Sequence, residues 1–257
     1  MWTTWITVFG IAFIFLMTTL GSAVVFFFKG EISPKVNSII LGFASGVMIS
    51  ASVWSLLLPA IEKARETFGD FAFFPSAVGL VLGGAFLVLL DKFTPSTQNA
   101  TLLQTQKAKR LFLAVTMHNI PEGLAVGFAF GGALVSGSIG AFMTALGLAI
   151  GIGVQNFPEG TAISLPMKGV SKNNTKAFLW GVASGLAEPI FAVLGIFLAT
   201  SLQILQPWLL SFSAGAMLFV SAEDLIPDAK MENSPRVGAW GVLIGFTVMM
   251  ILDVALS

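Results

Sequence analysis

Charged residues are scarce in this sequence and cysteine is absent, and each of these features excludes a class of protein or of site. Of 257 residues only 10% are charged and 56% are apolar, whereas soluble domains carry roughly a quarter charged residues. A soluble fold of this length needs a polar shell that so few charges cannot supply. We therefore predict a membrane protein, which uses lipid as its solvent and needs only short polar loops.

The missing residue types narrow the chemistry further. Cysteine is absent, which excludes disulfides and thiolate metal sites. The formal net charge is zero, so the charge of the whole chain says nothing about nucleic acid or acidic substrates. For a membrane protein we predict no nucleic-acid partner. The first apolar run, from Trp5 to Phe28, has no basic region before it and is too long for a cleavable signal, so it is predicted to remain as a span.

Eight apolar runs are long enough for helices that cross a bilayer, which takes roughly 20 residues each. Turn residues and charges separate them. The predicted spans cover residues 5–28, 36–60, 74–93, 108–131, 138–165, 175–200, 207–229 and 235–255. We predict an all-α polytopic membrane protein with a single domain over residues 1–257 and a cytoplasmic loop at about 94–107.

The basic residues predict the orientation of these spans. Only Lys63 and Arg65 lie in the loops on one side of the membrane. Because basic residues favour the cytoplasmic side, both termini are predicted to lie outside the cytoplasm. The basic residues of the other side are Lys29, Lys35, Lys92, Lys107, Lys109, Arg110, Lys168, Lys172, Lys176, Lys230 and Arg236.

Two stretches of the chain repeat. Residues 79–91 of span three align without gaps to residues 241–253 of span eight, with matching Gly, Leu and Asp positions. Residues 43–48 of span two likewise match residues 212–217 of span seven, and each is followed by a proline. Spans two and seven cross in opposite directions, as do three and eight, so we predict inverted repeats of three spans around a central pair, spans four and five. The alternative is chance similarity between glycine-containing apolar segments.

The two central spans carry a duplicated polar motif. It reads His-Asn-Ile-Pro-Glu-Gly at 118–123 and Gln-Asn-Phe-Pro-Glu-Gly at 155–160. Residues four apart share a helix face, so His118 lies one turn from Glu122 and Gln155 one turn from Glu159. Ionisable groups at this depth are costly and mark functional sites by default. Imidazole, carboxylate and amide groups suit divalent ions such as Zn²⁺, Fe²⁺ or Mn²⁺.

A third carboxylate and two prolines extend this pattern. Glu188 precedes Pro189 in span six, with Ser184 one turn earlier. Pro121 and Pro158 each free a backbone carbonyl, which must find a partner in lipid. A divalent cation would resolve the repulsion among three carboxylates, and its binding should weaken at acid pH. The alternative is that the histidine and amides only link helices and that the prolines only kink them.

At these residues the chain resembles the ZIP (Zrt/Irt-like) family of metal transporters, nearest its prokaryotic GufA-like branch, over essentially its whole length. The resemblance implies eight spans in a 3+2+3 arrangement, both ends outside, a homodimer in the plasma (inner) membrane, and zinc movement into the cytoplasm. It also implies a central site that is often binuclear. One half-site would hold Met48, His118, Glu122, Gln155 and Glu159, and the other Asn119, Asn156, Glu159 and Glu188.

The resemblance also implies an exit route and exposes two departures. Asp91 and Glu223 match positions that line the exit, with Ser184 along the pathway. Relatives commonly carry aspartate at the position of Asn156 and often histidine at that of Gln155, so a single-ion site stays open beside a binuclear one. The ligand set would also accept Fe²⁺, Mn²⁺, Co²⁺ or Cd²⁺. The rival interpretations are an intramembrane metallohydrolase and a non-transporting metal sensor.

Overall fold

The described part of the chain, in a computed structural model, comprises residues 2–28, 30, 33–92, 100–199, 203–230 and 235–256, and it contains helices and no strands. This confirms the all-α prediction. The α-helices are α1 (Trp2–Ala23), α2 (Pro34–Ala51), α3 (Leu58–Phe68), α4 (Phe73–Lys92), α5 (Ala100–Ser136), α6 (Ile139–Ser171), α7 (Asn174–Gly185), α8 (Ala187–Leu198), α9 (Gln206–Val220), α10 (Ile226–Ala229) and α11 (Pro235–Leu256).

The helices have the length and composition of membrane spans. Seven helical runs in the described residues are long and apolar enough to cross a bilayer, and an eighth, shorter apolar stretch covers Phe73–Leu89 within α4. Large apolar side chains also cover the outer surface, among them Phe27, Val135 and Phe197, each at least 73% exposed. Because a soluble surface rarely presents such contiguous apolar area, the chain is a polytopic membrane protein. The seven runs are Trp2–Phe27, Pro34–Phe71, Leu111–Ser136, Ile139–Ser171, Asn174–Leu198, Gln206–Ala229 and Arg236–Ala255.

Capping residues and positive backbone angles set where several helices begin and end. Ser33 caps α2 by accepting a hydrogen bond from the Val36 N–H at 3.4 Å, with Pro34 in the first turn. Asn173 caps α7 in the same way, accepting from the Lys176 N–H at 2.9 Å. Gly137, at φ 63°, allows the tight connection that turns α5 back into α6.

The segment predicted as a cytoplasmic loop at about 94–107 contains the beginning of a helix. Residues 93–99 lie outside the described part, and from Ala100 onward the chain is already helical in α5. The charges at 107–110 therefore do not end the helix, because a helix can continue past the bilayer surface into water.

The helices pack in two groups of matched pairs. In one group α1 packs against α6 and α5 against α8, with α5 and α6 in contact. In the other, α2 packs against α11 and α4 against α9. The central helices therefore belong to the first group, which also contains α7.

The tightest contacts of the second group recur at equivalent positions. A side chain on Gly46 of α2 would collide with the Val242 carbonyl of α11, and one on Gly215 of α9 would collide with the Leu80 carbonyl of α4. These glycines occupy matching places in the repeated segments, and so do Val242 and Leu80. A second pair of equivalent contacts has its glycines on the other helix of each pair. Gly83 of α4 lies against the Phe212 carbonyl of α9, and Gly245 of α11 lies against the Phe43 carbonyl of α2.

Two widened π-helical turns also match. They cover Ser52–Leu57, after α2, and Ser221–Leu225, after α9. Each precedes a proline, Pro59 or Pro227, whose missing N–H prevents ordinary i→i−4 bonding in the turn before it. Such turns are rare and concentrate at functional sites.

Candidate metal site between the central helices

Apart from His118, whose side chain lies outside the described part of the structure, the polar residues predicted for the central site are buried. Their helices pass through Pro121 and Pro158 without ending, so the motif residues stay in register on α5 and α6. The side chains that are fully shielded from solvent, at 0% exposure, are Met48, Asn119, Glu122, Gln155, Asn156, Glu159, Ser184 and Glu188.

The two central helices are joined directly by motif residues. The Gln155 side-chain N–H donates a hydrogen bond to Oε1 of Glu122, linking α6 to α5. The Gln155 carbonyl oxygen has no hydrogen-bond partner within the described part of the chain. Because an unpartnered buried oxygen is costly, this acceptor is available to a cation.

Glu188 connects α8 to three other side chains. Its Oε1 accepts a hydrogen bond from Thr18 Oγ1 of α1 at 2.5 Å. The same carboxylate faces the Asn156 amide and the Glu159 carboxylate of α6. Its other oxygen, Oε2, has no hydrogen-bond partner among the described residues.

Span six is locally irregular at this point. Helix α7 ends at Gly185 and α8 begins at Ala187, so Glu188 lies in the first turn of α8. The single residue between them, Leu186, keeps right-handed helical backbone angles, and Asn174–Leu198 forms one helical run. Pro189 cannot donate to the Gly185 carbonyl, which explains the irregularity.

The two motif asparagines differ in how they are held. Asn119 donates from Nδ2 to the Ser184 carbonyl at 3.1 Å and approaches Ser184 Oγ at 3.4 Å, while Thr116 Oγ1 donates to Ser184 Oγ at 2.9 Å. This anchoring leaves Oδ1 of Asn119 without a partner in the described structure. The Asn156 amide lies beside Glu188 but makes no hydrogen bond of ordinary geometry with any described residue.

The remaining predicted residues are not all brought to this cluster. The side chains of His118 and Asp91 lie outside the described part of the structure, although their backbones belong to α5 and α4. Met48 is buried on α2, and Glu223 is exposed in the π-helical turn after α9. Among the described side chains, no three His, Asp or Glu groups are gathered closely enough to hold a metal by themselves.

The buried side chains of these helices therefore offer oxygen ligands of two kinds. Three carboxylates, Glu122, Glu159 and Glu188, supply charge, and the amide oxygens of Asn119, Gln155 and Asn156 supply neutral donors. Carboxylate and amide oxygens without thiolates suit hard and borderline divalent cations. Sequence reasoning missed Thr18, because a threonine inside an apolar run carries no motif that distinguishes it from one bonded within its own helix.

Comparison with known proteins agrees with this chemistry. The family model described as ZIP Zinc transporter matches residues 104–253, which contain the motif residues of both central helices. The chain belongs to the ZIP family.

Named ZIP relatives match along nearly the whole chain. Human zinc transporter ZIP11 is 34% identical, covering 96% of this chain and 96% of its own length. Zinc transporter ZIPB of Bordetella bronchiseptica is 34% identical over 95% of this chain and 79% of its own. Zinc transporter GufA of Myxococcus xanthus is 31% identical over 88% of this chain and 90% of its own. ZIP proteins are transporters, so the chain is not an enzyme.

Proposed function

We propose that this chain carries divalent transition metal ions, zinc foremost, into the cytoplasm through the buried site between α5 and α6. The observation that carries this proposal is the complete burial of three glutamates on adjoining helices: Glu188 of α8 faces Glu159 of α6, and Gln155 of α6 bonds to Glu122 of α5. Three carboxylates in a lipid-embedded protein are costly unless a cation compensates them. A divalent cation supplies that charge, and a neutral organic substrate does not.

The site residues take roles that follow from their surroundings. Glu122, Glu159 and Glu188 bind the ion by charge, and Gln155 contributes its carbonyl oxygen beside Glu122. His118 lies one turn from Glu122 and completes this side of the site, with Met48 as a softer ligand from α2. Asn119 and Asn156 supply amide oxygens on the side of Glu188.

The number of ions bound at one time depends on how many of the site residues carry a negative charge. Asn156 and Gln155 are neutral where relatives often carry a carboxylate and an imidazole. We propose that one ion is bound tightly and that a second, if it enters, is held weakly, which favours release. Fe²⁺, Mn²⁺, Co²⁺ and Cd²⁺ would compete for the same oxygens.

The helix pairing supports a 3+2+3 architecture with inverted repeats. A twofold relation between the halves requires the helix contacts to come in equivalent pairs. The contact of α2 with α11 is then equivalent to that of α9 with α4, and the contact of α1 with α6 is equivalent to that of α8 with α5. The matched glycine contacts and π-helical turns support the same relation. Transporters of this kind bind substrate where the repeats meet and alternate access by moving one bundle against the other. We propose that the group containing α1, α5, α6, α7 and α8 moves.

The exit route, orientation and assembly complete the proposal. Asp91, at the end of α4, and Glu223, exposed after α9, would receive the ion on the cytoplasmic side, with Ser184 along the way. We propose an inner-membrane homodimer with both termini outside, formed from a single domain. No contact in the described structure favours hydrolysis or sensing over transport.

Zinc uptake by purified protein in liposomes tests the central claim. Glu159→Ala removes the buried carboxylate that faces Glu188 and should abolish saturable uptake. Glu66→Ala is the matched control, because Glu66 is exposed and bonded only at the surface, to Lys63 at 2.9 Å. Equal uptake by the wild type and Glu159→Ala would contradict the proposal. Competition by other divalent ions in the same assay would rank the substrates.

A further inference from the structure

Thr18 is a polar residue of the first span that the metal site has not yet accounted for. It lies in the interior of α1, 1% exposed. Most threonines in apolar helices bond only to a carbonyl of their own helix. Thr18 makes such a contact, to the Ile14 carbonyl at 3.4 Å, but it also reaches Oε1 of Glu188 at 2.5 Å.

The hydroxyl hydrogen of Thr18 is donated to Glu188. A threonine hydroxyl has a single hydrogen to donate, and Oε1 of Glu188 is by far the nearer acceptor. Hydrogen bonds from a hydroxyl to a carboxylate are short, about 2.5–2.7 Å, and roughly twice as strong as neutral ones. The bond therefore fixes Oε1, while Oε2 has no hydrogen-bond partner in the described structure.

Helix α1 is held firmly enough to make this contact a fixed feature. Thr161 of α6 donates to the Gly21 carbonyl at 2.9 Å, which ties α1 to α6. Gly160 also lies directly against the Thr18 carbonyl, where no side chain could fit. Thr18 is consequently fixed relative to the motif of α6, which supplies Glu159.

The position of Thr18 also corresponds to that of Glu188 in the other half of the protein. Gly123 of α5 packs against the Glu188 carbonyl as Gly160 of α6 packs against the Thr18 carbonyl. The two glycines end the duplicated motif, so their contact partners are equivalent. The structure thus brings together one residue from each half, a donor from α1 and an acceptor from α8.

We propose that Thr18 is a positioning residue for the zinc site. Its hydroxyl holds one oxygen of Glu188 so that the other oxygen faces the ion. This inference rests on the proposed metal site and adds α1 to the helices that build it. Groups that orient metal ligands from outside the coordination sphere typically contribute 10–100-fold to metal affinity. Loss of the Thr18 hydroxyl should therefore raise the KM for zinc by about tenfold or more.

Substitutions at Thr18 separate this role from packing. Thr18→Val keeps the shape of the side chain and removes the hydroxyl, whereas Thr18→Ser keeps the hydroxyl. Thr7→Val is the matched control, since Thr7 is 7% exposed on the same helix and bonds to the Thr3 carbonyl of its own helix at 3.0 Å. Thr18→Ala tests the same bond if Thr18→Val does not reach the membrane.

The measurement is zinc uptake into liposomes together with equilibrium zinc binding. We expect a raised KM and weaker binding in Thr18→Val, near-normal values in Thr18→Ser, and no change in Thr7→Val. A merely structural role would lower the maximal rate through loss of folded protein and leave KM unchanged.

The possible failures can be told apart. A normal KM in Thr18→Val, or equal defects in Thr18→Val and Thr18→Ser, would overturn the role of Thr18. If Glu188→Ala loses uptake in the same assay, the proposed metal site itself would stand. Normal KM and uptake in Glu188→Ala would refute the place of Glu188 in the proposed site, and the inference about Thr18 with it.

Discussion

The contact of Gly160 with α1 can be tested by adding a single methyl group. In Gly160→Ala the new Cβ would collide with the Thr18 carbonyl and lie 2.9 Å from both the backbone nitrogen and Oγ of Ser22. Because two of these three atoms belong to the backbone of α1, a side-chain rotation cannot relieve the clash. Helix α1 must therefore move away from α6, or the buried side chains beside this contact must change position.

Gly151→Ala supplies the matched control for this change. Gly151 lies on the same helix, and a Cβ there would meet nothing within 4 Å. Both variants gain the same helix propensity, up to about 1 kcal/mol over glycine, so this contribution cancels when they are compared. The remaining difference is the overpacking at Gly160, typically about 1–3 kcal/mol.

Thermal unfolding in detergent measures the difference. For a chain of this size 1 kcal/mol corresponds to about 2–4 °C in the midpoint, so Gly160→Ala should unfold several degrees below Gly151→Ala. Zinc uptake should fall in Gly160→Ala as well, since displacement of α1 separates Thr18 from Glu188. Equal midpoints and equal uptake in the two variants would refute the close packing of α1 on α6.

Three further predictions concern charge. Asn156→Asp adds a carboxylate beside Glu188, so zinc should bind more tightly and leave more slowly. Both the KM and the maximal rate of uptake should therefore fall. An unchanged KM would count against Asn156 as a ligand. Zinc affinity of the wild type should weaken as pH falls, because protons compete with the ion for the same carboxylates, and a titration of zinc binding between acid and neutral pH would show it. Lys168→Met removes the hydrogen bond to the Phe28 carbonyl and should lower thermal stability by about 1 kcal/mol, whereas Lys176→Met, at an exposed position, should not.

Much of the fold follows from apolar runs that are long enough to span a bilayer. The limits of the spans were less predictable. Sequence reasoning ended span two at residue 60, but a π-helical turn carries the helix past Pro59 as far as Phe71. Local sequence does not reveal such a turn, because it depends on how the chain accommodates the missing proline N–H among its neighbours.

The residues of the candidate site could be singled out from the sequence where a charge in lipid marked them. Glu122, Glu159 and Glu188 stand out because ionised groups at that depth need a reason. The anchoring of Asn119 by Ser184 and the contact of Thr18 with Glu188 were not predictable in this way. Both join residues far apart in the chain through groups that are common in membrane helices, so only the packing of the helices identifies them.

The halves of this protein share a backbone pattern but differ in the side chains at the contact between α1 and α8. If both equivalent positions carried carboxylates, two like charges would face each other at hydrogen-bond distance, and one would have to be neutralised. A hydroxyl on one side and a carboxylate on the other make a complementary pair, with the donor from Thr18 and the acceptor from Glu188. The difference also adds no fourth carboxylate to the proposed site, where a further charge would slow release of the ion. Divergence of the two matched segments at this contact therefore gives the proposed site a hydroxyl donor on one side and a carboxylate acceptor on the other.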